Sequence, residues 1–125
     1  SYVILENLRY FLSSQNSTEP VYFGDYYNYV KKGGFFTGGS GYVVSKEALK
    51  RYGQRKEKTC AQDRLGEDVQ WAYCMQAIGV RMADTNDALN RSRFHQFRPG
   101  VYINGLYPEY YVRLINNNTR KVRNY

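Results

Sequence analysis

Apolar positions along the chain switch between a helical and a strand spacing, and the switches divide it into short elements. Ile4, Leu5, Leu8, Phe11 and Leu12 recur on one helical face and predict a helix over Tyr2 to Leu12. The polar run from Ser13 to Pro20 predicts a loop, and Val21-Tyr22-Phe23-Gly24 a short strand. Asp25 to Lys32 mixes tyrosines with polar residues and reads as a loop or an edge hairpin. Phe35-Phe36-Thr37 reads as a strand end, and Tyr42-Val43-Val44 has strand composition. Lys46 to Tyr52 predicts a short helix that stops near Gly53, followed by a charged loop from Gln54 to Arg64. A second strong helix is predicted over Glu67 to Ile78, with Leu65, Val69, Ala72, Met75 and Ile78 roughly on one face and Trp71 beside them. Gly79 ends it, Val80 to Ala83 reads as a strand, and Asp84 to Arg93 as a polar loop. From Pro99 onward the tyrosines and asparagines show no clear period. Short strands with intervening helices predict an α/β fold.

The stretch from Phe35 to Leu49 is the centre of this pattern. It reads as strand end, glycine corner, short strand and capped helix. Gly38, Gly39 and Gly41 let the backbone approach a ligand closely. Ser45 is a good N-cap, and Glu47 favours the positive end of the helix that follows. In α/β folds ligands bind at loops beyond strand ends, where this corner and Glu67-Asp68 would both lie. The pair Glu67 and Asp68 has two readings. Carboxylates in a first helical turn gain from the macrodipole, which is a purely structural role. One of them pointing into a cleft would be a general base. Phe94-His95-Gln96-Phe97 carries the one histidine, which becomes a metal-ligand candidate only where carboxylates arrive from elsewhere in the fold.

Composition changes the picture at three points. The 14 tyrosines suit a half-wet cleft, because the ring packs while the hydroxyl finds a partner, and flat sugar faces stack on such rings. Lys+Arg 18 against Asp+Glu 11 gives a net charge of +7, yet the basic residues are scattered. They are not interleaved with aromatics on one face, so no nucleic-acid partner is expected. Cys60 and Cys74 lack the short spacing of a metal cluster. Together with glycosylation sequons at Asn16, Asn90 and Asn117 they point to a secretory compartment and a disulfide. No apolar run reaches membrane-spanning length. At 125 residues the chain is one domain or part of one, and its first residues read as the interior of a domain whose N-terminal part is missing.

Several ordered segments together resemble the β1,3-glycosyltransferase superfamily that includes the fringe enzymes, and within it the core 1 β1,3-galactosyltransferase group. They are Tyr2-Val3-Ile4-Leu5-Glu6-Asn7-Leu8-Arg9, Val21-Tyr22-Phe23-Gly24, Gly38 to Leu49, Glu67-Asp68-Val69, Cys74-Met75, Gly79-Val80 and Phe94-His95-Gln96-Phe97. The resemblance implies a GT-A fold, a Rossmann-like sheet, with residues 1–99 as the C-terminal part of the catalytic domain and 100–125 as a divergent tail. It implies an inverting, Mn2+-dependent transfer of galactose from UDP-galactose to the 3-hydroxyl of N-acetylgalactosamine on serine or threonine of an O-glycoprotein acceptor. The enzyme would be a type II protein of the Golgi membrane, with a lumenal catalytic domain and an anchor outside this chain; homodimerisation stays open. Asp68, or in second place Glu67, would be the general base, and His95 a manganese ligand. Gly38, Gly39, Gly41, Tyr42 and Trp71 would line the donor and acceptor cleft, and Cys60 and Cys74 would form a disulfide around the catalytic loop. The family's Asp-x-Asp motif would precede Ser1, so this stretch alone is expected to be inactive. A non-catalytic chaperone-like relative and a fringe-like N-acetylglucosaminyltransferase are the competing readings.

Overall fold

The computed structural model describes residues 2–28, 31–60 and 66–117. It is a mixed α/β arrangement built around one strand. That strand, β1 (Val21–Phe23), is buried along its whole length. It pairs antiparallel with β4 (Val43–Val44), in the register Tyr22 to Val44, and parallel with β5 (Arg81–Met82), in the register Tyr22 to Met82. The resulting sheet has the order β4-β1-β5. A second, two-stranded antiparallel sheet joins β2 (Asp25–Tyr27) to β3 (Phe35–Thr37). The segment read as a loop or edge hairpin therefore carries a strand, and Asp25 and Tyr27 of that strand are buried.

Helix α1 (Leu5–Leu12) packs Phe11, with Leu8 and Leu12 at its margin, onto Val21 and Phe23. The five-residue apolar stripe read from the sequence is only partly used: Ile4 and Leu5 remain 51% and 55% exposed. Helix α2 (Lys46–Gly53) starts as its sequence predicts, with Ser45 accepting the Ala48 N–H at 3.1 Å. The same Ser45 hydroxyl accepts the Val21 N–H at 3.2 Å and donates to the Glu19 carbonyl at 2.6 Å. One side chain thus caps the helix and holds the head of β1. Arg51, ion-paired with Glu47 at 3.0 Å, reaches across and donates to the carbonyl of Gly79 at 3.0 Å, satisfying an acceptor at the end of α3.

Helix α3 (Glu67–Ala77) bridges two cores. Cys74 and Met75 pack with Tyr22, Phe36 and Ala48, while Val69 and Ala72 pack with Tyr27, Phe35 and Tyr111. The tail that shows no period in the sequence forms two helices, α4 (Pro99–Asn104) and α5 (Glu109–Asn117). Tyr111 of α5 is 7% exposed and is part of the second core, beside Phe97 and Tyr107. Tyrosine supplies the apolar face here, which is why a reading tuned to aliphatic residues missed it. No helix among the described residues is long and apolar enough to cross a membrane.

Candidate active site at the glycine corner

β3 runs into a 3₁₀ turn over Gly38–Ser40, and the first turn of α3 lies against it. Asp68 sits in that turn. Its Oδ1 accepts the Val69 N–H at 2.9 Å, and its Oδ2 accepts the Gly38 N–H in a long contact of 3.4 Å. Glu67 is exposed, and it leans over the same corner. A Cβ placed on Gly38 would stand 2.8 Å from Glu67 Oε2 and 3.2 Å from the Tyr42 hydroxyl. The missing side chain is what lets these groups converge. Gly41 ends the turn at φ 77, a left-handed conformation that favours glycine.

Tyr42 stacks on Trp71 with ring centroids 5.8 Å apart and planes 12° apart, and Trp71 in turn leans on Tyr52 at 5.0 Å. Trp71 is therefore the wall behind Tyr42. The Tyr42 hydroxyl and the Trp71 indole N–H are both buried without a hydrogen-bond partner among the described residues. Burial pushes the Tyr42 phenol well above its ordinary range, and the charges of Glu67 and Asp68 push it the same way. The phenol stays protonated and acts only as a neutral hydrogen-bonding group.

The segment bearing His95 reaches the corner through its neighbour. A Cβ on Gly39 would lie 2.8 Å from Gln96 Cγ, so Gly39 makes room for that side chain. Gln96 Oε1 accepts the Tyr27 hydroxyl at 2.6 Å. Ser92 donates to the Phe94 carbonyl at 2.7 Å and contacts the buried Asp25 carboxylate at 3.4 Å. Strand β2 thus holds this segment at two points. The His95 ring meets Tyr102 of α4 edge-on at 4.8 Å, and the Tyr102 hydroxyl accepts the Phe97 N–H at 3.1 Å. Partial desolvation of the imidazole lowers its pKa, which favours the neutral ring, the form in which an imidazole ligates metal. Among the described residues no group of three or more His, Cys, Asp or Glu is placed to hold a metal ion. The site therefore fits such an ion in the kind of ligand His95 offers and not in the number.

Asp25, Tyr27, Ser92, Gln96 and Tyr102 all support this site, and sequence reasoning did not single any of them out for it. Only Gln96 had a signal, by adjacency to the lone histidine. Cys60 and Cys74 form a disulfide, with Cα atoms 4.8 Å apart, that ties a 3₁₀ turn over Glu57–Cys60 to the middle of α3. Asn16 is exposed, and its Oδ1 accepts both the N–H and the hydroxyl of Thr18, at 3.0 and 2.6 Å. Asn90 takes φ 59 and accepts from Asn86 Nδ2 at 2.8 Å, while Asn117 is the last residue of α5.

The chain matches the family model described as Fringe-like over residues 1–104. It is 40% identical over 100 residues to a Xenopus laevis protein named glycoprotein-N-acetylgalactosamine 3-beta-galactosyltransferase 1, covering 79% of this chain and 28% of that protein. Mouse and human proteins named beta-1,3-glucosyltransferase are each 33% identical to it over 103 residues, covering 80% of this chain and 20% and 19% of theirs. The chain thus spans less than a third of the length of these relatives. A family model that takes in the glycine corner, Glu67-Asp68 and His95, with transferases among the relatives, makes the chain a member of the Fringe-like glycosyltransferase family.

Proposed function

We propose that this chain is part of a GT-A β1,3-glycosyltransferase that moves galactose from UDP-galactose, with inversion, to the 3-hydroxyl of N-acetylgalactosamine on serine or threonine of a glycoprotein. The observation that carries the reading is the meeting of Gly38 and Asp68, a carboxylate held at a helix start and aimed at a glycine corner. Asp68 is the general base. The Val69 N–H orients one oxygen, and the long Gly38 contact leaves the other with a lone pair for an incoming hydroxyl. As the acceptor oxygen bonds to the anomeric carbon, its proton passes to Asp68 and the bond to the diphosphate breaks. Tyr42, backed by Trp71, lines the corner beside Gly38, and Glu67 flanks the entrance. Mn2+ would stabilise the charge on the leaving diphosphate. His95 is the residue of this chain that would hold it.

A Golgi lumenal setting, with a membrane anchor outside this chain, accords with the Cys60–Cys74 disulfide, since such bonds persist in oxidising compartments. Identity to beta-1,3-glucosyltransferases supports a second reading in which glucose is the donor sugar. The test is transfer by the protein expressed from its full reading frame, with UDP-galactose and UDP-glucose offered separately, with Mn2+ and with chelator. The acceptor is a peptide bearing N-acetylgalactosamine. Manganese-dependent galactose transfer is expected, abolished in Asp68→Asn while UDP binding persists. Transfer from UDP-glucose alone would select the second reading. A folded protein that transfers neither sugar would move the assignment to a non-catalytic, chaperone-like role.

A further inference from the structure

A cavity of about 220 Å³ opens just past the carboxyl ends of the parallel strands β1 and β5. Phe36 and Tyr26, cross-strand partners on β3 and β2, form one wall together with Met82. Asp84 and Asn86 stand at the rim. Thr85, buried, ties the floor to β1 by donating to the Gly24 carbonyl at 2.9 Å. The Tyr22 ring, edge-on to Phe36 at 5.0 Å and to Tyr42 at 6.4 Å, lies between this cavity's wall and the glycine corner, so the two sites are distinct. The place is one where open α/β sheets hold ligands.

The lining selects the chemistry. Asp84 is exposed; its Oδ1 accepts the Asn86 N–H at 2.9 Å, and its Oδ2 takes no bond among the described residues. Asn86 spends its Nδ2 on Asn90, and its Oδ1 takes no donor among the described residues. The rim thus presents acceptors to a ligand rich in hydroxyl donors. A free carboxylate repels phosphate, and with no ligating group of three among the described residues it does not make a metal site. A purely apolar ligand would strip water from Asp84 with nothing in return. The volume falls below the roughly 300–1,000 Å³ of drug-sized pockets, which suits one ring. We infer that this cavity is a binding site for one neutral hexose unit, its C–H face against Tyr26 and its hydroxyls on Asp84 and Asn86. It is separate from the sugar that reacts at Asp68 and does not depend on the transferase reading.

The experiment is ligand-observed saturation-transfer NMR on the purified protein, offering the methyl glycosides of galactose, N-acetylglucosamine and glucose in turn at millimolar concentration. At least one is expected to show saturation. That signal should weaken about tenfold or more in affinity in Asp84→Asn, which keeps the fold-side acceptor for Asn86, and in Tyr26→Leu, and should persist in Asp68→Asn. Free glycosides and the same unit carried on a glycopeptide, run as separate arms, distinguish a free sugar from a glycan of the acceptor. Silence from every glycoside overturns the site. So does a signal that survives Asp84→Asn but is lost in Asp68→Asn, which would place the sugar at the glycine corner.

Discussion

Gly38 is the glycine of the candidate site that faces both Glu67 and Tyr42. Its backbone φ lies in the ordinary region, so alanine is conformationally allowed there. The added Cβ would meet Glu67 Oε2, the end of a flexible, exposed side chain that can swing away. Gly38→Ala should therefore leave stability within about 0.5 kcal/mol of the parent, as surface changes do. Moving the Glu67 carboxylate and the Tyr42 hydroxyl, and filling the space beside Asp68, should nonetheless lower transfer on the order of 10²-fold. Paired thermal melts and initial rates check this, and loss of both together would mean that Gly38 is a folding residue. His95 makes a prediction in pH. Its pKa is lower folded than unfolded, so in the acid range the unfolded chain binds more protons and stability rises with pH. The stabilisation from the neutral ring is present above the unfolded value of about 6.5 and is lost as pH falls through the folded value. Melting temperatures followed from pH 5 to pH 7.5 should show a shallower acid slope in His95→Gln than in the parent.

At the scale of elements, Ser45 is where a helix and a strand depend on the same atom. Its hydroxyl serves the Ala48 N–H, the Val21 N–H and the Glu19 carbonyl. Ser45→Ala should cost about 1–2 kcal/mol, the upper part of the range for a lost cap, because the head of β1 loses a partner too. Denaturant unfolding measures it; a cost near zero would mean that water replaces the hydroxyl at all three positions. This cap was legible in the sequence, as were α2, α3 and the separation of the two cysteines, because each rests on contacts close along the chain. What was not legible joins distant segments. Asp25 meets Ser92, and Tyr27 meets Gln96, across 67 and 69 residues. No local pattern marks such pairs. Strand β2 was obscured because Tyr26 and Tyr27 pack as apolar residues while reading as half polar, and α5 was hidden for the same reason.

For the molecule as a whole, burial of tyrosine is the dominant electrostatic fact. Burial is the first cause of the upward shift at Tyr22, Tyr27, Tyr42 and Tyr102 alike. A raised folded pKa contributes stability that is fully present below the unfolded value of about 10 and is lost as pH rises beyond it. Tyrosinate absorbance and circular dichroism, followed together through alkaline titration, should therefore change in one cooperative step. Smooth tyrosine ionisation with the fold intact would contradict it. The glycine corner, the carboxylate pair and the cysteines were legible at this scale because their order along the chain is itself a pattern. The second core, where the tail closes on β2, β3 and α3, was not, because it exists only once the chain has folded.

The bond between Cys60 and Cys74 has a further consequence. The chain between them holds Asp63 and Arg64, and it carries the proposed base on its far side. A protease that cuts there severs the polypeptide but not the molecule, because the two pieces stay joined through sulfur. Such a nicked form would migrate as one species without reductant and as two with it. Without reductant, intact mass, read as a single addition of water, would show that the backbone leading to Asp68 had been opened.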